Sequence, residues 1–72
     1  MDFSQALLNL KSGKKVAQSG WNGKGMFLQC QFPDEHSKMG NPYIYIKGTD
    51  GKFTPWNPSQ LDLFSMKWVI VD

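Results

Sequence analysis

Hydrophobic and polar residues repeat along this chain with two different periods. Phe3, Ala6, Leu7 and Leu10 recur at i, i+3, i+4 and i+7, the one-sided stripe of an amphipathic helix. Asp2 stands at the N-cap, Gln5 three residues on completes a capping-box pattern, and Ser12-Gly13 supplies the stop with glycine at C′. A helix is therefore predicted over 3–11, short enough to need a surface to pack on. From there the period shortens to two. Residues 14–18 read as a short strand centred on Val16. Met26, Leu28, Cys30 and Phe32 alternate with Phe27, Gln29 and Gln31, which predicts a strand over 26–32. Tyr43 to Lys47 is aromatic and β-branched, Asp50-Gly51 is a hairpin-turn dipeptide, and residues 52–56 form the return strand. Ser59 can cap a helical turn over 60–64, with Asp62 in the third position as an acidic capping box. Residues 67–71 read as the last strand, with Trp68 and Ile70 on one face. The pattern predicts an α+β fold: an N-terminal helix packed on a small antiparallel sheet, with a short helical turn before the last strand.

Two segments do not serve this alternation. Gly20-Trp21-Asn22-Gly23-Lys24-Gly25 and Thr54-Pro55-Trp56-Asn57-Pro58-Ser59-Gln60-Leu61-Asp62 each set a tryptophan beside an asparagine among glycines or prolines. Large rings usually go to cores. In loop-forming sequence a ring can stay partly open and stack on something flat, and binding residues concentrate on such loops.

With 72 residues the chain is expected to form one domain, 1–72. Domains of this size bury only about 60% of their unfolded surface and commonly need extra support. Cys30 is the only cysteine and His36 the only histidine, so an intrachain disulfide is excluded and a four-ligand zinc site is not expected. No cofactor is called for. Self-association is the natural remaining support. Eight lysines face six acids and there is no arginine, which argues against duplex nucleic acid, where arginine dominates guanine readout. Apart from Lys11, Lys14 and Lys15 the lysines are scattered. No apolar run approaches the ~20 residues of a membrane span. No signal peptide is visible, and a lone thiol fits a reducing cytoplasm.

The chemistry of catalysis is sparse. His36 lies in the polar stretch 33–42 without partners for a triad or metal pair. Asp34 and Glu35 are adjacent and so point apart. Cys30 reads as a small core hydrophobe. The Gly20-x-x-Gly23-x-Gly25 spacing precedes a strand, unlike a dinucleotide fingerprint. Binding is better supported. Trp21 and Trp56 offer faces on which a planar base gains ~1–3 kcal/mol. Asn22, Asn57, Ser59, Gln60 and Asp62 offer donors and acceptors, Asp62 suits a pair of ribose hydroxyls, and Lys24 with glycine amides suits a phosphate. Packing roles compete with each reading. Trp56 can cap the core, Ser59 and Asp62 can cap their own helical turn, Trp21 can fill a subunit interface, and Trp68 belongs with the core.

The opening Asp2-Phe3-x-x-Ala6-Leu7-x-x-Leu10-Lys11-x-Gly13-Lys14-x-Val16 leads into Gly20-Trp21-Asn22-Gly23-Lys24-x-Met26-Phe27-Leu28. Pro42-Tyr43, Asp50-Gly51, Pro55-Trp56-x-Pro58-Ser59-Gln60-x-Asp62 and Trp68 follow. Over nearly its whole length this pattern resembles the Thoeris anti-defense family of the second type, small proteins found largely in phages and prophages. The resemblance implies a molecular sponge that binds a cyclic ADP-ribose isomer without cleaving it and so keeps the Thoeris effector inactive. It also implies homo-oligomers, typically tetramers, with pockets at subunit contacts in the host bacterial cytoplasm. Some members take cyclic oligonucleotide signals at separate sites. By position, Trp21 would stack on adenine with help from Phe3, and Asn22 and Lys24 would lie near the sugar–phosphate. Ser59, Gln60 and Asp62 would make polar contacts, and Trp56 would wall or brace the pocket. The chain departs from the family pattern at three places. Residues 33–42 are short, Gln18-Ser19 replaces a common basic residue, and Ser65-Met66-Lys67 lacks the usual acid before Trp68.

Two other functions compete: a protein-interaction module that blocks a host factor through an exposed aromatic patch, and a weak single-stranded nucleic-acid binder. The second would bind with a steep salt dependence.

Overall fold

The structure, a computed structural model, describes residues 1–21 and 25–71. The order of elements is α1 (Phe3–Lys11), β1 (Lys15–Gln18), β2 (Phe27–Gln31), β3 (Tyr43–Lys47), β4 (Phe53–Pro55), α2 (Gln60–Phe64) and β5 (Trp68–Val71). The strands form one antiparallel sheet in the order β4-β3-β2-β1-β5. The first four strands meander. The segment carrying α2 then returns the chain to the far edge beside β1. The fold is α+β, as the pattern predicts.

The ends of the elements follow their local chemistry. The Asp2 carboxylate accepts the Gln5 N–H at 2.9 Å and starts α1. Only this forward half of the expected box forms; the Gln5 side chain makes no return bond to Asp2 among the described residues. Gly13 ends the helix at φ +91°, a conformation that costs a side-chain-bearing residue energy. Gly51 does the same for the β3–β4 turn at φ +80°, with its N–H on the Gly48 carbonyl at 3.1 Å. In α2 both halves of the box form between Ser59 and Asp62.

Register divides the sheet into two unlike faces. Val16 pairs with Leu28, Leu28 with Ile46, and Gln18 with Trp68. These residues point toward α1, and Val16, Leu28 and Trp68 join Ala6 and Leu10 in the fully buried core. The opposite face carries the rows Phe27–Lys47–Phe53 and Gln29–Tyr45–Pro55, and neither helix packs on it. Phe27 is nonetheless buried. The Lys15 and Lys47 ammoniums lie 4.6 and 5.7 Å from its ring centroid, so lysine side chains lie over the ring where a helix does not. Ile70 shares the face of Trp68 but stays 47% exposed at the sheet edge. Cys30, expected in the core, is half-buried at its margin.

Candidate functional site

Trp68 is the hub around which the predicted site assembles. It is fully buried, yet three half-buried rings reach it from separate parts of the chain. Phe3, from the first turn of α1, lies 5.5 Å away between centroids. Trp21, from the loop after β1, lies 5.6 Å away at 79°, and Trp56, from the segment after β4, lies 5.9 Å away at 86°. Phe3 and Trp56 also touch each other at 5.7 Å. Edge-to-face packing suits the ring quadrupoles and adds about 0.5–1.5 kcal/mol per pair beyond burial. An edge-on ring keeps part of its face for something else. The structure thus brings Phe3, Trp21 and Trp56 together across the chain.

Polar groups adjoin this cluster through α2. The Trp68 indole Nε1 donates to the Asp62 carbonyl at 3.0 Å, which fixes α2 beside the rings. Asp62 Oδ2 accepts the Ser59 N–H at 2.8 Å and the Ser59 hydroxyl at 3.0 Å. Its Oδ1 accepts Gln18 Nε2 at 2.7 Å, a bond between elements 44 residues apart. A carboxylate offers about four acceptor positions. Three are committed within the chain, so one remains open, on Oδ1. A ribose diol gripped by both oxygens would need an internal bond to open; a single hydroxyl would not. Ser59, Gln60 and Asn57 are exposed beside Asp62. Asn22 and Lys24 lie outside the described residues.

Sequence pattern alone passed over two members. The pattern places Trp68 in the core, where it lies, but its role as the shared partner of three rings depends on the β1–β5 pairing. Gln18 carried a weak signal: it lies two residues beyond Val16 and so on the same inward face.

Elsewhere the surface offers a different kind of place. On the helix-free face a groove of about 310 Å³ is lined by Gln31, Tyr43, Tyr45, Phe53, Thr54 and Pro55. It holds none of the predicted site residues. Among the described residues no group of three or more His, Cys, Asp or Glu could hold a metal ion. No helix among the described residues is long and apolar enough to cross a membrane. The Cys30 thiol is pushed above its ordinary range by burial, which disfavours the thiolate.

Comparison with known proteins settles the family. A family model for the Thoeris anti-defense 2-like domain matches residues 1–71. The chain belongs to the Thoeris anti-defense 2-like family. A curated relative, Thoeris anti-defense 2 of Bacillus phage SP01, is 39% identical over 85 aligned positions, covering 99% of this chain and 94% of the relative. The alignment is longer than the 72-residue chain, so the phage relative carries inserted residues. The match spans both tryptophan segments and every element that positions them.

Proposed function

We propose that this protein counters Thoeris defense as a sponge: it binds a cyclic ADP-ribose isomer and holds it intact. Membership of the Thoeris anti-defense 2-like family supports the anti-Thoeris role. The observation that carries the finer reading is the convergence of Phe3, Trp21 and Trp56 on Trp68 with the Ser59–Asp62 turn beside them. Adenine would stack on the exposed part of Trp21, with Phe3 and Trp56 walling it. The open acceptor on Asp62 Oδ1 would take one ribose hydroxyl. Ser59 and Gln60 would add polar contacts, and Asn22 and Lys24 would lie near the phosphates. Binding without turnover belongs to the same reading, and the fate of the bound nucleotide tests it.

The same reading includes a homo-oligomer, proposed as a tetramer. Leu61 is 86% exposed, Phe64 80% and Met66 69%. The helix α2 buries no residue within the chain. An apolar surface of this kind beside a ligand site suits a subunit contact. Cyclic oligonucleotides remain candidates for a separate site. The test is incubation with each cyclic ADP-ribose isomer, removal of free nucleotide, heating, and chromatography of what is released. Intact nucleotide supports the sponge. A hydrolysed product makes the protein an enzyme, and no retained nucleotide from any isomer removes the reading.

A further inference from the structure

Resting on that reading of the site, we propose that Gln18 is the positioning residue that sets the two tryptophan segments relative to each other. It is the last residue of β1, directly before the loop that carries Trp21. Its backbone carbonyl accepts the Trp21 N–H at 3.1 Å. Its side-chain Nε2 donates to Asp62 Oδ1 at 2.7 Å, in a part-buried position. One residue therefore holds the start of the Trp21 loop with its main chain and the Trp56–Asp62 segment with its side chain.

The sheet pairs Gln18 with Trp68, beyond the end of α2, but it leaves the Asp62 side chain to be placed by other bonds. The Trp56 segment leaves β4 at one edge of the sheet, while the Trp21 loop leaves β1, three strands away in the order β4-β3-β2-β1-β5. Trp68 joins the segments through ring contacts, which tolerate a range of tilts and offsets, and through its Nε1 bond to the Asp62 main-chain carbonyl, which does not orient the Asp62 carboxylate. A charge-assisted hydrogen bond of 2.7 Å is narrower in both distance and angle. The carboxylate that receives it is held from the other side by both bonds from Ser59. Beside the Trp68 Nε1 bond, the relay Gln18–Asp62–Ser59 thus adds a side-chain tether between α2 and β1. It also fixes which Asp62 acceptor is left for a ligand. Gln18 touches no ligand in this account and acts through Asp62 and Trp21.

The test uses the full chain and two readouts, one of which needs no ligand. In acrylamide quenching of tryptophan emission, Gln18→Leu, which keeps the volume and loses the donor, should raise the quenching constant about twofold as Trp21 and Trp56 part from Trp68. Its affinity for whichever cyclic ADP-ribose isomer the wild type retains should fall about tenfold, the equivalent of one charge-assisted hydrogen bond. Gln18→Glu supplies a signature that general loosening would not. Facing Asp62, two carboxylates cannot both stay ionised at hydrogen-bond distance without repulsion, and a shared proton restores the bond. Relative to wild type at each pH, this variant should resemble Gln18→Leu near pH 8 and approach wild-type quenching near pH 5. If Gln18→Leu does not fold, the pH series of Gln18→Glu decides alone. Wild-type quenching in Gln18→Leu, or quenching in Gln18→Glu that follows wild type at every pH, overturns the assignment. If the wild type retains no isomer, the sponge reading fails, and the ligand-free quenching still decides the role of Gln18.

Discussion

The two faces of the sheet both carry aromatic rings, and they use them differently. On the helix side, Phe3, Trp21 and Trp56 meet one buried indole, with hydrogen bonds from Gln18, Ser59 and Trp68 converging on Asp62. On the bare side, Tyr45 meets Phe53 edge-on at 5.3 Å and donates its hydroxyl to Gln29 at 2.8 Å, but Phe53 stays 63% exposed and lines an open groove. The groove of about 310 Å³ lies on the bare side. Preorganisation favours the helix side: its rings come from three distant segments and are cross-linked by polar bonds, so a ligand bound there would meet groups already in place. Concavity and aromatic content do not identify a site unless something also holds the groups still.

The sharpest way to break this comparison is to remove the hub. Trp68→Ala should destabilise the protein by roughly 3–5 kcal/mol, the usual cost of emptying a buried aromatic site. Chemical denaturation would measure it, and unfolding at room temperature fits a domain of this size. Phe53→Ala on the bare face should change stability by no more than about 0.5 kcal/mol in the same assay, since an exposed ring has little burial to lose. Equal losses in the two variants would erase the distinction between the faces.

A smaller effect separates the faces by binding. Trp21→Ala should weaken nucleotide binding by about 1–3 kcal/mol, the worth of one stacking ring. Tyr45→Ala should leave affinity unchanged. Asp62→Ala removes the return half of the α2 capping box and the Gln18 partner together, and should cost about 1–2 kcal/mol in thermal or denaturant unfolding.

The smallest effect concerns Cys30, at the margin of the helix-side core. Burial raises its pKa, so the neutral thiol persists to higher pH than in an unfolded chain. The sign follows: less thiolate at a given pH means slower alkylation. Reaction with a thiol reagent near neutral pH should run slower in the folded protein than in denaturant. The contrast should shrink as pH rises through the raised value. Equal rates at neutral pH would show that the thiol is not desolvated.

Much of this architecture is legible in the residues. The i, i+3, i+4, i+7 stripe locates α1, alternation locates the strands, and the Ser59–Asp62 cap marks α2 because each feature is local. The convergence of Phe3, Trp21 and Trp56 came with the family resemblance; spacing alone left each ring between a packing and a binding role. What escaped depends on contacts across the sheet. Nothing near Gln18 in the sequence announces that it meets Asp62, because that bond exists only once β5 returns beside β1. The burial of Phe27 was missed for a related reason. Its partners include the ammoniums of Lys15 and Lys47 on neighbouring strands, and a polarity pattern scores lysine as solvent-facing. The half-exposure of Ile70 shows the converse: alternation gives the face, and only the extent of α1 says how far that face is covered.

The most direct test is a calorimetric titration of cyclic ADP-ribose isomers into the wild-type protein and into Trp56→Ala and Phe53→Ala. Saturable heat in the wild type, kept by Phe53→Ala and lost or strongly reduced in Trp56→Ala, is the predicted result. Absence of heat at micromolar concentration for every isomer, or binding that Phe53→Ala abolishes and Trp56→Ala spares, would contradict it.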